Sequence, residues 1–280
     1  MNTLSNHSMT DKTLAFIGGG NMASAIIGGL IHSGTPEAGI LVIEPWDEQR
    51  QRLSQRWPGL RVQASADAAL ADAGTVVWAV KPQLFAEAAA PCAPFVAGAL
   101  HLSVMAGIGS PAIARATGSQ RVVRSMPNTP ATIGLGITGL YAREAVSAAE
   151  RTQVEQLLAS TGAVLWVQTE ADLDAVTALS GSGPAYVFYF IEAMVAAAER
   201  MGLSAEQGKQ LAIATFGGAT ELARRSDESP AVLRERVTSK GGTTYAALSS
   251  LNEAGVSEAF VRAMQAAQAR ARELGEQFGA

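Results

Sequence analysis

One cysteine, Cys92, and three histidines, His7, His32 and His101, are all that the 280-residue chain offers a soft metal or a disulfide. A single thiol excludes an intramolecular disulfide and a cysteine zinc cluster. The histidines lie far apart with no acidic partner at ligand spacing, so no metal site is expected. Charge is scarce too: 16% of residues are Asp, Glu, Lys or Arg, the net charge is −4, and the 17 arginines and four lysines form no dense run. Without a basic footprint, nucleic acid is not an expected partner. Long apolar runs are missing. The most apolar stretch, Ala185 to Ala198, is short for a bilayer, carries Glu192 and reads as a buried helix, so no membrane role is expected. The opening MNTLSNHSMTDK lacks the basic and apolar regions of a targeting peptide. Residues 1–12 are therefore expected to form a flexible tail, with Met9 an alternative start, and the cytoplasm is the default address.

What is there is apolar and patterned. Nearly half of the residues are hydrophobic, and the length suggests about two domains. From residue 13 to residue 169, short β-branched or apolar runs alternate with alanine-rich helical segments, as in a parallel α/β layer. The expected strands are TLAFIG, ILVIE, RVQ, TVVWAV, ALHLSV and RVVRS, with GITGLY and AVLWV closing this half. From residue 170 to residue 280 strand signals vanish and every segment reads at helical period, the last helix running from about Ser257 to Gln277. The expected fold is α/β, a doubly wound, Rossmann-type N-terminal domain followed by an all-helical C-terminal one.

Strand TLAFIG runs into GGGNMASAIIGGL, so Gly18, Gly20 and Ala23 match G-x-G-x-x-A between a strand and an apolar-periodic helix. The first glycine permits a tight turn, the second lets the backbone approach a pyrophosphate, and the small third residue permits close helix–strand packing. The helix N-terminus then faces the phosphate. Glu44, ending the second strand, stands where an acid would bond the ribose 2′-OH of NAD, yet it is equally readable as a solvated strand end. Arg50 and Arg52 follow and would suit the 2′-phosphate of NADP, so NADH and NADPH both stay open. AVKPQ (Ala79 to Gln83), VMAGIG (Val104 to Gly109) and SMPNTP (Ser125 to Pro130) follow other strands and share the carboxyl edge where α/β sheets bind ligands.

A dinucleotide fold names no reaction. Tyr-x-x-x-Lys is absent, since Ala145, Phe190, Ala193 and Ser249 stand four residues after the tyrosines, and SGSG (Ser180 to Gly183) is no nucleophile elbow. The lysine of hydroxyacid dehydrogenases one turn into a similar helix is replaced by Val187. So little acid–base equipment suits a substrate such as an imine, which accepts hydride readily once it is oriented and its anionic handle is held. VTSKGGTTYAAL (Val237 to Leu248) supplies a fitting cradle: Gly241 and Gly242 leave amides unshielded, Thr243 and Thr244 add hydroxyls, and a helix start follows. The alternative is a helix cap whose threonines satisfy the first amides.

Taken together, FIGGGNMA, AVKPQ, RSMPNTP, TALSGSGPAY and VTSKGGTT, in that order from about Leu14 to Glu273, resemble the pyrroline-5-carboxylate reductase family of proline biosynthesis. The resemblance implies reduction of 1-pyrroline-5-carboxylate to L-proline with NADPH or NADH. It implies a substrate carboxylate held by Ser239, Gly241, Gly242, Thr243 and Thr244, with Thr244 the catalytic hydrogen-bond partner or proton relay to the ring nitrogen and water the competing donor. Cofactor contacts are implied for Gly18, Gly19, Gly20, Asn21, Met22, Ala23, Ala79, Val80, Lys81, Pro82, Ala106, Gly107 and Asn128, with Thr129 beside the last, and Glu44 joins them by its place after the second strand. It further implies close chain approach at Gly181 and Gly183, a helix opened by Pro184, and self-association through the C-terminal helices as a dimer or higher homo-oligomer. Two positions depart from the family pattern: Lys240 replaces a common proline, and no asparagine stands near Ser65 and Ala66.

Overall fold

The structure is a computed structural model and describes residues 12–278; apart from Lys12, the expected tail lies outside the described residues. By its contacts the chain forms two compact units. One comprises the residues up to Ser182 together with those from Ala267 onward, and the other is Gly183–Ala266.

The first unit holds strands β1 (Thr13–Ile17), β2 (Ile40–Ile43), β3 (Arg61–Gln63), β4 (Ala73–Trp78), β5 (Leu100–Ser103), β6 (Val122–Met126), β7 (Gly136–Ala142) and β8 (Gly162–Trp166). Its helices are α1 (Asn21–His32), α2 (Asp47–Arg56), α3 (Phe85–Val96), α4 (Ser110–Thr117), α5 (Ala148–Leu158) and α6 (Asp172–Val176). The strand order is β3-β2-β1-β4-β5-β6-β7-β8. Successive residues of β1 serve opposite cores: Phe16 packs with Ile26, Ile27, Leu53 and Leu157, whereas Ala15 and Ile17 pack with Trp78, Phe85, Cys92 and Ile113. Such two-sided burial explains why the central strands read as unbroken apolar runs. The pairing of β6 with β7 is antiparallel and departs from the expected all-parallel layer. Residues 127–135 between them form only a turn of 3₁₀ helix, too short for a crossover, so the chain must reverse.

The second unit consists of α7 (Gly183–Arg200), α8 (Ala205–Arg225), α9 (Pro230–Arg236), α10 (Thr243–Glu253) and the first part of α11 (Val256–Phe278). Pro184 sits in the first turn of α7, where its missing N–H costs nothing. Helices α7 and α8 approach closely because Gly208 has no side chain: a Cβ there would lie 2.7 Å from that of Ala198. Tyr186 and Phe190 of α7 meet Phe260 of α11 with ring centroids 5.9 and 5.8 Å apart. Phe188, Tyr189, Leu211 and Leu222 are each more than half exposed.

A polar bridge crosses the sheet core of the first unit. His101 on β5 is fully buried; its Nδ1 accepts from Trp78 Nε1 at 3.1 Å, which leaves Nε2 to donate to the Val96 carbonyl at 3.1 Å. Burial, outweighing the Val96 contact, pushes the imidazole down from 6.5 to about 4. A folded-state value below the unfolded one means that unfolding takes up a proton as the pH falls below 6.5. Stability should therefore be full above pH 6.5 and drop by about 2 kcal/mol between pH 7 and pH 5 from this one group. Urea unfolding of the native protein and of His101→Gln across that range measures it; equal slopes in the two proteins would refute the assignment.

Candidate active site

In the order of strands the chain moves outward from β1 to β3 on one side and from β4 to β6 on the other, so the switch point lies between β1 and β4. Open α/β sheets bind ligands beyond the carboxyl ends of the strands at such a point. Backbone bonds hold those ends together: Gly18 N–H donates to Ile43 O (2.9 Å), Ala79 N–H to Ile17 O (2.8 Å) and Val104 N–H to Trp78 O (3.0 Å). The segments following β1, β2, β4, β5 and β6, which carry the proposed cofactor residues, thus share one edge.

Each glycine of the turn has a different reason to be one. Gly18 has φ +95°, and a Cβ on it would stand 2.7 Å from the Ala79 carbonyl oxygen. Gly19 is packed so that a Cβ would meet Leu53 Cδ1 at 2.6 Å. Gly20, the residue before α1, is the opposite case: a Cβ there would meet nothing within 4 Å. The one open position is the one at which the backbone is expected to face a pyrophosphate, so the turn fits the group. Ala23 is fully buried beneath it, Met22 packs against the core, and Asn21 begins α1.

Glu44 is buried and not a solvated strand end. Its carboxylate accepts from Gly19 N–H at 2.8 Å and from Trp46 N–H at 3.0 Å. Gln49 Nε2 donates to Gly19 O at 2.6 Å, so both backbone polar groups of Gly19, one in each of two successive peptide units of the turn, are held by side chains. Nothing in the sequence pointed to Gln49, which reads there as one polar residue on a polar helix. Arg50 donates to Glu44 O (3.0 Å) and Pro45 O (2.7 Å) and pairs with Asp47, while Arg52 pairs with Glu48 on the helix surface. In AVKPQ, the Lys81 ammonium lies 5.9 Å above the ring of Trp46, and Pro82 opens a short 3₁₀ turn.

The segment after β5 is joined to β6 by a residue that sequence reasoning missed. Glu170 accepts from Ser110 N–H (2.6 Å), Ser110 Oγ (2.5 Å) and Arg124 Nη1 (2.9 Å). Burial pushes this carboxyl up, but the Ser110 and Arg124 bonds outweigh it and hold the group below the usual carboxylate range. Nearby Asp174 is raised, burial prevailing over the attraction of Arg124 and Arg272. Gly107, at φ +76°, lies under the end of α11, where a Cβ would be 3.3 Å from the Leu274 carbonyl. Asn128 uses Oδ1 to accept from Ile137 N–H at 3.0 Å, so its side chain braces the turn into β7. Thr177–Gly181 forms a π-helical turn that brings Gly181 against Met126, with 2.5 Å from a notional Cβ to Met126 Cε. Gly183 is a correction: a Cβ there would meet nothing within 4 Å, so close approach is not what it serves.

In the second unit, Gly242 N–H donates to Ser239 O at 3.0 Å, closing a turn with Lys240 and Gly241 at its centre and Gly241 at φ +74°. Lys240 takes the position in such a turn that also favours proline. Gly242 is the N-cap of α10 and no side chain caps it, which disposes of threonine capping. The α10 ladder starts with Ala246 N–H donating to Gly242 O, so the N–H groups of Thr243, Thr244 and Tyr245 precede it. Ser239 and Thr243 are exposed and Thr244 half-buried.

The family model described as pyrroline-5-carboxylate reductase dimerisation matches residues 170–274, and that described as NADP oxidoreductase, coenzyme F420-dependent, matches residues 13–107. Pyrroline-5-carboxylate reductase of Pseudomonas aeruginosa is 44% identical over 273 residues, 97% of this chain and 100% of the relative. A solved pyrroline-5-carboxylate reductase from Coxiella burnetii superposes with TM-score 0.88 at 35% identity, covering 95% of this chain and 99% of its own. A Plasmodium falciparum pyrroline carboxylate reductase structure with NADP bound gives TM-score 0.84 at 27% identity over 96% of this chain and 100% of its own. With a turn, a switch point and near full-length relatives all in agreement, the chain belongs to the pyrroline-5-carboxylate reductase family.

Proposed function

We propose that this chain reduces 1-pyrroline-5-carboxylate to L-proline with NAD(P)H, the last step of proline biosynthesis, and does so as a homo-oligomer in the cytoplasm. The observation that carries the reading is the Ser239–Thr244 segment, a positive-φ turn running into a helix start without a side-chain cap, in a chain similar to known reductases along almost its whole length. Among the described residues, no helix is long and apolar enough to cross a membrane.

In this reading Gly18, Gly19, Gly20, Asn21, Met22 and Ala23 hold the pyrophosphate, and Ala79, Val80, Lys81, Pro82, Ala106, Gly107 and Asn128 rim the nicotinamide. The bound reduced nicotinamide supplies the hydride. Ser239, Gly241, Gly242 and Thr243 take the substrate carboxylate, each charge-assisted bond being worth roughly 1.5–3 kcal/mol. The Thr244 hydroxyl donates to the ring nitrogen, favouring the polarised C=N bond and relaying the proton that the secondary amine keeps. No stronger acid is needed, because the imine carbon is already electrophilic.

The deciding experiment is the initial rate of NADH and of NADPH oxidation with 1-pyrroline-5-carboxylate. Rapid oxidation is expected, with a six-membered cyclic imine turned over far more slowly; a folded, cofactor-binding protein that oxidises neither cofactor overturns the reading. Thr244→Ala should lower kcat by roughly 10²-fold, the usual scale of a lost proton-transfer partner, and leave cofactor affinity unchanged. Steady-state kinetics beside a cofactor titration separates the two, and an unaltered kcat removes Thr244 from the mechanism. Gly20→Val should abolish cofactor binding while the melting temperature stays within a few degrees, since its side chain enters open space.

A further inference from the structure

We propose that Glu44 makes this enzyme select NADH over NADPH, an inference that rests on the reading of the glycine turn as a dinucleotide site. The sequence leaves an acid and two arginines competing for the ribose; the geometry separates them.

Glu44 is fixed in place. Gly19 N–H and Trp46 N–H each take one of its carboxylate oxygens, at 2.8 and 3.0 Å, and the side chain is buried against the turn it braces. Each oxygen has a second lone pair, so the carboxylate can accept from a ribose hydroxyl without giving up either backbone bond. A 2′-phosphate in the same place would bring at least one negative charge against a carboxylate that cannot swing aside without releasing Gly19. Like charges in a partly buried site repel strongly.

The arginines do not offset this. Arg50 spends Nη1 on the carbonyl oxygens of Glu44 and Pro45 and Nη2 on Asp47, so both of its terminal nitrogens are already engaged and its charge is already paired with a carboxylate. Arg52 is tied to Glu48 and lines a cavity with Asn21, Ser24, Gln49 and Arg56 on the α1–α2 side. Lys81 stands over Trp46, whose ring is 66% exposed. It brings one cation to this edge, as a point charge without the fork geometry that arginine offers a phosphate.

The test is calorimetric titration of the wild-type protein with NADH and with NADPH, no imine present, so that it does not depend on turnover. Wild type is expected to bind NADH at least tenfold more tightly. Glu44→Ser is expected to lower that ratio at least tenfold, by weakening NADH and strengthening NADPH together. Arg50→Ala is expected to leave NADPH affinity within twofold. Tighter NADPH binding by the wild type overturns the proposal. So does a Glu44→Ser variant that weakens both cofactors by the same factor, because that is the behaviour of a loop brace and nothing more. Loss of NADPH affinity in Arg50→Ala or in Lys81→Met, with NADH unaffected, would show a working phosphate clamp and overturn it equally. Absence of imine reduction would leave these binding ratios as they are, so failure of the functional reading is distinguishable from failure of this one.

Discussion

The glycine turn is wedged between the segment after β4 and helix α2, and the position of every other group in the cofactor half follows from that wedge. Gly18 lies so close to the Ala79 carbonyl, and Gly19 to Leu53, that neither has room for a side chain. The positive φ of Gly18 adds a strain of about 1–3 kcal/mol for any other residue. Squeezed from both sides, the turn can offer a ligand only its third glycine, and Gly20 is the one with free space in front of it. The N–H and the C=O of Gly19 are taken up by Glu44 and Gln49, so that the residue following β2 and a residue of α2 hold the turn they border. Backbone recognition of a phosphate depends on such rigidity, because the amides must already point the right way.

Glu170 does for the β5–β6 side of the carboxyl edge what Glu44 does for the β1–β2 side. Its carboxylate ties the N-terminus of α4, reached through the segment after β5, to Arg124 on β6 and to the chain about to enter α6. Partial burial costs such a group solvation, yet its acidity is strengthened and not weakened, so the charge-assisted bonds win. The loop containing Ala106 and Gly107 is consequently positioned from two directions, by Glu170 through Ser110 and by the last turns of α11 lying over Gly107.

Much of this was legible in the sequence, for a physical reason: strands buried on both faces and helices with an apolar stripe announce themselves locally, and so does a glycine turn between them. Eight expected strands and the change to helices after residue 170 correspond to the observed elements. The antiparallel β7 was not legible, because it depends on the shortness of a connection and not on any residue type. Gln49 and Glu170 were invisible for another reason. Each is a single polar residue whose partner lies 30 or 60 positions away, and no periodicity reports such a pair. Glu44 was seen but left ambiguous, since its burial and its two backbone donors exist only once β1 and β2 are side by side.

The helical unit has a different kind of incompleteness. Its buried apolar side chains among the described residues are Ala198 and Ala212, while aromatic and aliphatic groups on α7 and α8 face outward. The rest of its burial comes from half-buried side chains such as Tyr186, Phe190, Ile191 and Val195. The family model that matches residues 170–274 is described as a dimerisation domain, and this unit is the one with unpartnered apolar faces. Within the first unit, the last turns of α11 lie over Gly107, so part of the cofactor edge is held by the final helix of the chain.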